Sequence, residues 1–524
     1  PENTREAIFG ALARRETYAT SGPRITVQFY ADWQGQSGHE LANETVGAGE
    51  ELHRIPMGGV VSMDQLKDHS TSPSFSVWAM QDPLDAPLQK IQMVKGWIDE
   101  SGETREKVVD IVCADDASID PDTGRCADNG ASVDLTTCAF DGHVGEAQLS
   151  VNWQDPDFNA DQSAFYYVRV LMNPTCRWST YDAIRLGRDP DPRVPATIQE
   201  RAWTSPIWIS KTASGNRAEM MIGSKTFLKI ASPRRCRLAS LSVAMLLVSA
   251  CAEDSVEREK RASAQKYYRS TNTIMSPNEA IVEFEPGAHK DEDVPSNPSR
   301  NPYFGDLHVH TTLSFDASAF GTTATARDAY RYAQGEPIQH PSGFEVQLAQ
   351  PLDFYAVTDH GVLLGLINEA ADTRTTFSTY ALSEPYHNIN DSVDGGIFDL
   401  AKRSLVFSNF IGDVVGSLMD KTISEAEINS VSQSAWQDTI EAANEAYQPG
   451  KFTTFVGYEY TSSTEEREAL HRNVIFRGSE RFPAQPFSRL NSIDPEGLWH
   501  WMDRMRERGV ESLAIPHNSN GSNG

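Results

Sequence analysis

Short runs of alternating apolar and polar residues dominate the first third of the chain. Ile25–Trp33, Phe75–Met80, Ile91–Ile98, Lys107–Val112, Ala147–Trp153 and Phe165–Met172 are rich in β-branched and aromatic residues, and Gly, Pro, Asp and Asn separate them. Period-two patterning between such breakers predicts strands, and this many short strands predict a β-sandwich-like domain. Ahead of them, Asn3 with Glu6 three positions on predicts a capped helix that carries Ala7, Ile8, Ala11 and Leu12 on one face. Gly22-Pro23 ends that pattern. Beyond Tyr303 the period changes. Strand-like Tyr303–His310, Phe354–His360, Phe452–Tyr458 and Val510–Ile515 alternate with helical spacing at Thr323–Ala333, at Trp436–Tyr447 and after Asp494, where Pro495 and Gly509 mark a start and a stop. Alternation of strand and helix predicts an α/β unit whose polar residues gather at the carboxyl ends of the strands.

Between these regions lies one hydrophobic run, Leu238–Ala250, shorter than the ~20 residues of a membrane-spanning helix. Lys225, Lys229, Arg234, Arg235 and Arg237 precede it and Val248-Ser249-Ala250-Cys251 ends it, which gives the charged, apolar and small-residue regions of a secretory signal. The ending resembles a bacterial lipobox. That resemblance implies Cys251 as the lipidated first residue of an exported lipoprotein, periplasmic or held at the outer membrane, with the lipid as its only membrane contact. Met220 and Met221 stand just upstream, so residues 221–251 read as an internal signal and the chain as two joined pieces. The charged, Pro- and Ser-containing stretch 252–302 reads as a tether.

With 524 residues, 39% of them hydrophobic, the chain has material for more than one core. Its formal charge of −27 opposes a phosphate backbone, so nucleic acid is not expected as a partner. Cys113, Cys126, Cys138 and Cys176 lie in the β-rich part. Their spacing is not that of a zinc ribbon; they read either as two disulfides with three possible connectivities or as buried thiols. Asp141-Gly142-His143 has the D-x-H form of a metal motif, but it falls between strand-like segments, where turn chemistry accounts for it.

The chemistry is concentrated after Tyr303. His308 and His310 share one face of their strand by period two, and His360, Glu459 and His517 close the other strand-like segments. Such a set of imidazoles and carboxylate suits zinc, manganese or iron better than calcium. DLHVH at Asp306–His310, TDHG at Thr358–Gly361, GYEYT at Gly457–Thr461 and PHN at Pro516–Asn518 resemble successive motifs of the PHP (polymerase and histidinol phosphatase) superfamily. More narrowly, NPYFGDLHVHTTLSFDA and REAIFGALARRETYATSGPRI resemble the bacterial family catalogued as domain of unknown function 3604.

The resemblance implies an α/β fold, a distorted (β/α)7-type PHP barrel that is incomplete here, plus the β-sandwich-like domain. Residues 1–24 then form the terminal helix and turn of the PHP-like domain, 25–215 the β-rich domain and 303–524 the metal-binding domain. Two or three divalent metal ions are implied, ligated by His308, His310, Asp316, His360, Glu459, His471 and His517, with Glu459 bridging. Asp306 and Asp359 stand beside ligands and are expected to orient imidazoles by accepting their other ring N–H. In the PHP pattern a D-x-H motif from a late strand completes the site, and a segment like residues 1–215 comes after it. The expectation here is therefore a permuted order with the middle absent, from a fusion or a mis-joined gene. The implied activity is a metal-dependent hydrolase of phosphoesterase type acting on a small phosphorylated ester. The alternatives are a non-catalytic surface lipoprotein with structural metals, and a fused or truncated chain without activity.

Overall fold

The computed structural model describes residues 2–32, 54–63, 72–210, 255–285, 294–295, 300–391, 397–464 and 470–518. The expected internal signal 221–251, with Cys251, lies outside the described residues. Among those that are described, no helix is long and apolar enough to cross a membrane. The fold is mixed α/β and divides into two compact units. One takes residues 2–9, 255–285, 294–295 and 303–518; the other takes 10–32, 54–63, 72–210 and 300–302. The division at the amino terminus comes after Phe9.

In the larger unit five strands form one open sheet: β1 (Gly305–Val309), β2 (Phe354–Val357), β3 (Thr453–Tyr460), β4 (His471–Phe476) and β5 (Ser512–His517), in that order. The first three are parallel, β4 runs against β3, and β5 runs against β4 and therefore with the rest. Every residue of β3 is buried, as befits a central strand covered on both faces. Tyr458, Trp436 and Trp501 build the core on one side of it. β1 lies so close to β2 that a Cβ on Gly305 would come within 2.1 Å of the Phe354 carbonyl oxygen, so glycine is required there.

The covering helices start where their caps dictate. Thr325 and Asp328 form a capping box at Ala326–Ala333, Ser424 and Glu427 do so at Glu425–Ala446, and Asp494 accepts from the Glu496 N–H at 3.0 Å ahead of Pro495–Glu507. The helix expected from Trp436 begins eleven residues earlier, because the Ser424 box, not the apolar spacing, sets its start. A further helix, Ile397–Met419, has no counterpart in the expectations.

The stretch 252–302 is not simply a tether. Ser255–Ser270 is a helix whose Ala264 and Tyr268 enter a core with Phe410 and Val414, and Ile281–Glu283 pairs with Arg481–Pro483. Its high charge suggested a solvated linker, but most of the charges lie on the outer face, while Gly412 and Gly416 of the helix Ile397–Met419 leave room for Arg261 and Ala264 on the inner one. Arg261 Nε also donates to Asp413 Oδ1 at 2.6 Å.

The amino terminus is a second correction. The helix runs over Arg5–Arg14 and ends at Arg15, which has a left-handed φ of 62°, well before Gly22-Pro23. Thr4, not Asn3, caps it, with its Oγ1 accepting from the Ala7 N–H at 3.2 Å. Asn3 instead donates its side-chain amide to the carbonyls of Asp353 and Lys451. Arg5 is buried: Nε donates to the Thr454 carbonyl at 2.5 Å, Nη1 to Asn444 Oδ1 at 2.8 Å, and the guanidinium lies 4.3 Å from the Tyr447 ring centre. These contacts bind the first residues of the chain to β3 and its covering helix.

In the smaller unit two sheets share one core. Ala164–Met172 pairs antiparallel with Leu88–Ile98 on one side and with Arg201–Thr204 and Ile207–Ser210 on the other. Thr26–Asp32, Ser74–Met80 and Gln148–Gln154 belong to the second sheet. The rings of Phe75 and Tyr166, one from each sheet, have centres 4.6 Å apart, so side chains from two layers interdigitate as the strand pattern predicted. Disulfides join Cys113 to Cys126 and Cys138 to Cys176, resolving the open connectivity.

Replacing Arg5 by Ala removes the buried donors to the Thr454 carbonyl and to Asn444 Oδ1 and one of the donors to the Ala443 carbonyl. It should lower the stability of the larger unit by about 3 kcal/mol, which thermal unfolding monitored by calorimetry would detect as a fall of several degrees in that unit's transition.

Candidate metal centre

The strand directions explain where the site residues meet. β1, β2, β3 and β5 all end at the same edge of the sheet, and β4, which runs the other way, begins there. His308 lies in β1 and His310 follows it, His360 follows β2, Glu459 is the penultimate residue of β3, and His517 is the last of β5. His471 is the first residue of β4 and sits opposite His517 in the ladder. His360 and Glu459 face each other across a single parallel bridge.

Glu459 is at the centre, with its side chain 1% exposed. Oε2 lies 3.1 Å from His308 Nε2 and 3.0 Å from His310 Nε2. Oε1 lies 2.6 Å from His471 Nδ1, 3.3 Å from His360 Nδ1 and 3.4 Å from His517 Nε2. Asp316 approaches from the short helix Phe315–Ala319, 3.5 Å from His310 Nδ1 and 3.3 Å from His360 Nε2. All seven residues expected as ligands therefore lie in one cluster.

Two groups within it have ligand atoms all within 4.8 Å of one another: His308, Glu459 and His517, and His310, His360 and Glu459. Each could hold a metal ion, and Glu459 belongs to both. The donor set fits such ions on two further grounds. Among the described residues, neither ring nitrogen of His517 has a hydrogen-bond partner, although both are buried. Five imidazoles also crowd one carboxylate that can accept only about four hydrogen bonds. Protonating them all would bury excess positive charge, and leaving them neutral turns lone pairs toward the carboxylate; cations between them remove both costs.

Electrostatics within the cluster are strongly coupled. Burial alone would raise the Glu459 carboxyl, but hydrogen bonds from the imidazoles, His308 and His310 first, hold it far below the usual carboxylate range. Burial would lower His310, yet Asp316 and Glu459 raise it to about 10. Asp316 is opposed by burial in the same way and is pulled well below the ordinary range by His310 and His360.

The two neighbouring aspartates do something other than expected. Neither accepts from an imidazole. Asp306 is exposed and accepts the His308 backbone N–H at 2.9 Å. Asp359, buried and pushed up to about 6 by that burial, accepts the Thr311 N–H and Oγ1 at 2.5 and 2.7 Å. Asp359 thereby fixes the backbone just after His310. The groups that do touch the imidazoles were missed: Ser314 Oγ lies 2.9 Å from His310 Nδ1 and donates to Asp316 Oδ1 at 2.6 Å, and Thr461 Oγ1 bonds both His360 Nδ1 and Glu459 Oε1. Position alone could have flagged them, since Ser314 falls between two ligands and Thr461 two residues after a third. Asp141-Gly142-His143 is an exposed turn in the other unit, closed by the His143 N–H on Asp141 Oδ1 at 2.9 Å.

The family described as "Protein of unknown function (DUF3604)" matches residues 1–211 and 297–524. No curated protein and no solved structure matches the chain.

Calorimetric titration with Mn²⁺ or Zn²⁺ should show uptake that Glu459→Gln weakens at least about tenfold, the loss typical even of outer-shell changes at such sites. His143→Ala should leave it unchanged.

Proposed function

We propose that this chain, which belongs to the family "Protein of unknown function (DUF3604)", is a metal-dependent hydrolase of phosphoesterase type. The observation that carries this reading is the sharing of Glu459 between two three-residue groups, the donor arrangement of a two-metal centre. Divalent zinc, manganese or iron bound there would supply a nucleophile from water at neutral pH and would clamp the oxygens of a phosphoester. The chain's own part is to hold the donors. Glu459 with His308 and His517 would hold one ion, and Glu459 with His310 and His360 the other. His471 and Asp316 close the ring around them. Ser314 and Thr461 fix the imidazole orientations from behind, and Asp359 fixes the turn that carries His310.

His308 is 40% exposed, so a small substrate can reach the cluster from solvent. The open sheet, with ligands at one edge, agrees with a PHP-type barrel as the parent architecture. Two disulfides support an oxidising compartment, in line with export as a lipoprotein.

With Mn²⁺ or Zn²⁺ restored after chelation, the chain should hydrolyse 4-nitrophenyl phosphate or bis(4-nitrophenyl) phosphate. His308→Ala should reduce kcat/KM by about 100-fold or more, on the order of 3 kcal/mol of transition-state stabilisation. Stoichiometric metal retention without turnover of either ester would favour a non-catalytic binding protein instead.

A further inference from the structure

One short helix links the metal cluster to an exposed apolar surface. Phe315–Ala319 carries Asp316, whose side chain is 32% exposed between His310 and His360. Four residues on, at the end of the same helix, Phe320 is 46% exposed. Residues spaced by four share a helix face, so Asp316 and Phe320 open to solvent on the same side. Phe320 has its ring centre 5.4 Å from that of Phe407, which is itself 38% exposed. Phe407 stacks on the buried Phe315 at 5.8 Å and 4°, and Phe315 in turn lies 5.2 Å from the His360 ring. Leu400, 49% exposed and seven residues before Phe407, falls on the same face of Ile397–Met419.

Arg403 is buried on the same helix and donates to the carbonyls of Ala319 and Ile389 at 3.2 and 3.0 Å and to Asn390 Oδ1 at 2.9 Å. It therefore ties Ile397–Met419 to the end of the helix that carries Asp316. Three large apolar side chains exposed to water near a polar cluster form a surface that contact with another apolar group would stabilise.

We propose that Phe320, Phe407 and Leu400 form the subsite for an apolar group of the substrate, so that the chain selects phosphoesters with an alkyl or aryl substituent. The inference rests on the hydrolase reading above and names its substrate class. The phosphoryl group would sit at the cluster and the apolar substituent would extend over Phe320 onto Phe407.

Two non-hydrolysable probes, methylphosphonate and hexylphosphonate, separate this inference from the reading beneath it when titrated calorimetrically into the Mn²⁺-loaded chain. The expected result is that hexylphosphonate binds roughly tenfold or more tightly than methylphosphonate, in keeping with burial of part of its extra methylenes. Phe407→Ala and, farther from the cluster, Leu400→Ala should each reduce that preference severalfold, while Phe407→Tyr preserves most of it and Mn²⁺ affinity stays unchanged in all three. Equal affinity for both probes, or a preference that survives Phe407→Ala and Leu400→Ala together, overturns the subsite. Binding of neither probe overturns the phosphoesterase reading and the subsite with it.

Discussion

A carboxylate buried among five imidazoles is an arrangement that a folded chain tolerates only if its charge is compensated from several sides. Glu459 is in that position, and the surrounding structure is built to supply the compensation. β3 delivers it from the fully buried middle of the sheet, where desolvation would by itself favour the neutral acid. The ring nitrogens that hold it ionised come from four other strand ends, so moving any one strand along its neighbour would remove a partner and expose the cost of burial. Register in this sheet is therefore constrained by electrostatics as well as by packing.

That constraint also accounts for the mixed strand directions. In an all-parallel sheet only carboxyl ends meet at any one edge of this kind. Reversing β4 places its first residue there, so His471 enters from a strand start and meets His517 directly across the ladder. The Phe315–Ala319 helix supplies Asp316 from outside the sheet. Side chains from five strands and one helix then surround a space that no single element could enclose.

Much of this was legible in the sequence, for identifiable physical reasons. Period-two and period-3.6 patterns marked β1, β2, β3 and β5 and the six longest strands of the smaller unit, since these carry β-branched or aromatic runs between clear breakers. The ligands at strand ends were legible because a polar residue closing an apolar run is conspicuous. His471 was not visible from pattern alone, because it opens its strand and only motif likeness pointed to it. The helix Ser255–Ser270 was hidden by its charge, as its apolar contacts are few and rely on glycines in a partner more than a hundred residues away. The roles of Asp306 and Asp359 were misassigned because adjacency to a ligand says nothing of direction: both carboxylates turn to backbone N–H groups. Likewise Asn3 and Thr4 are both competent caps, and only the tertiary demand on Asn3 from Asp353 and Lys451 decides between them.

Arg5 has a consequence for the order of events during synthesis. Its partner Thr454 lies 449 positions away, so this segment docks against a strand that is synthesised long after it. Until then the segment around Ile8 and Phe9, buried in the finished protein, stays uncovered. A closure of such long range slows folding and prolongs exposure to misassociation. The larger unit therefore cannot complete its core until β3 has been made, and the burial of Ile8 and Phe9 waits on the same strand that delivers Glu459.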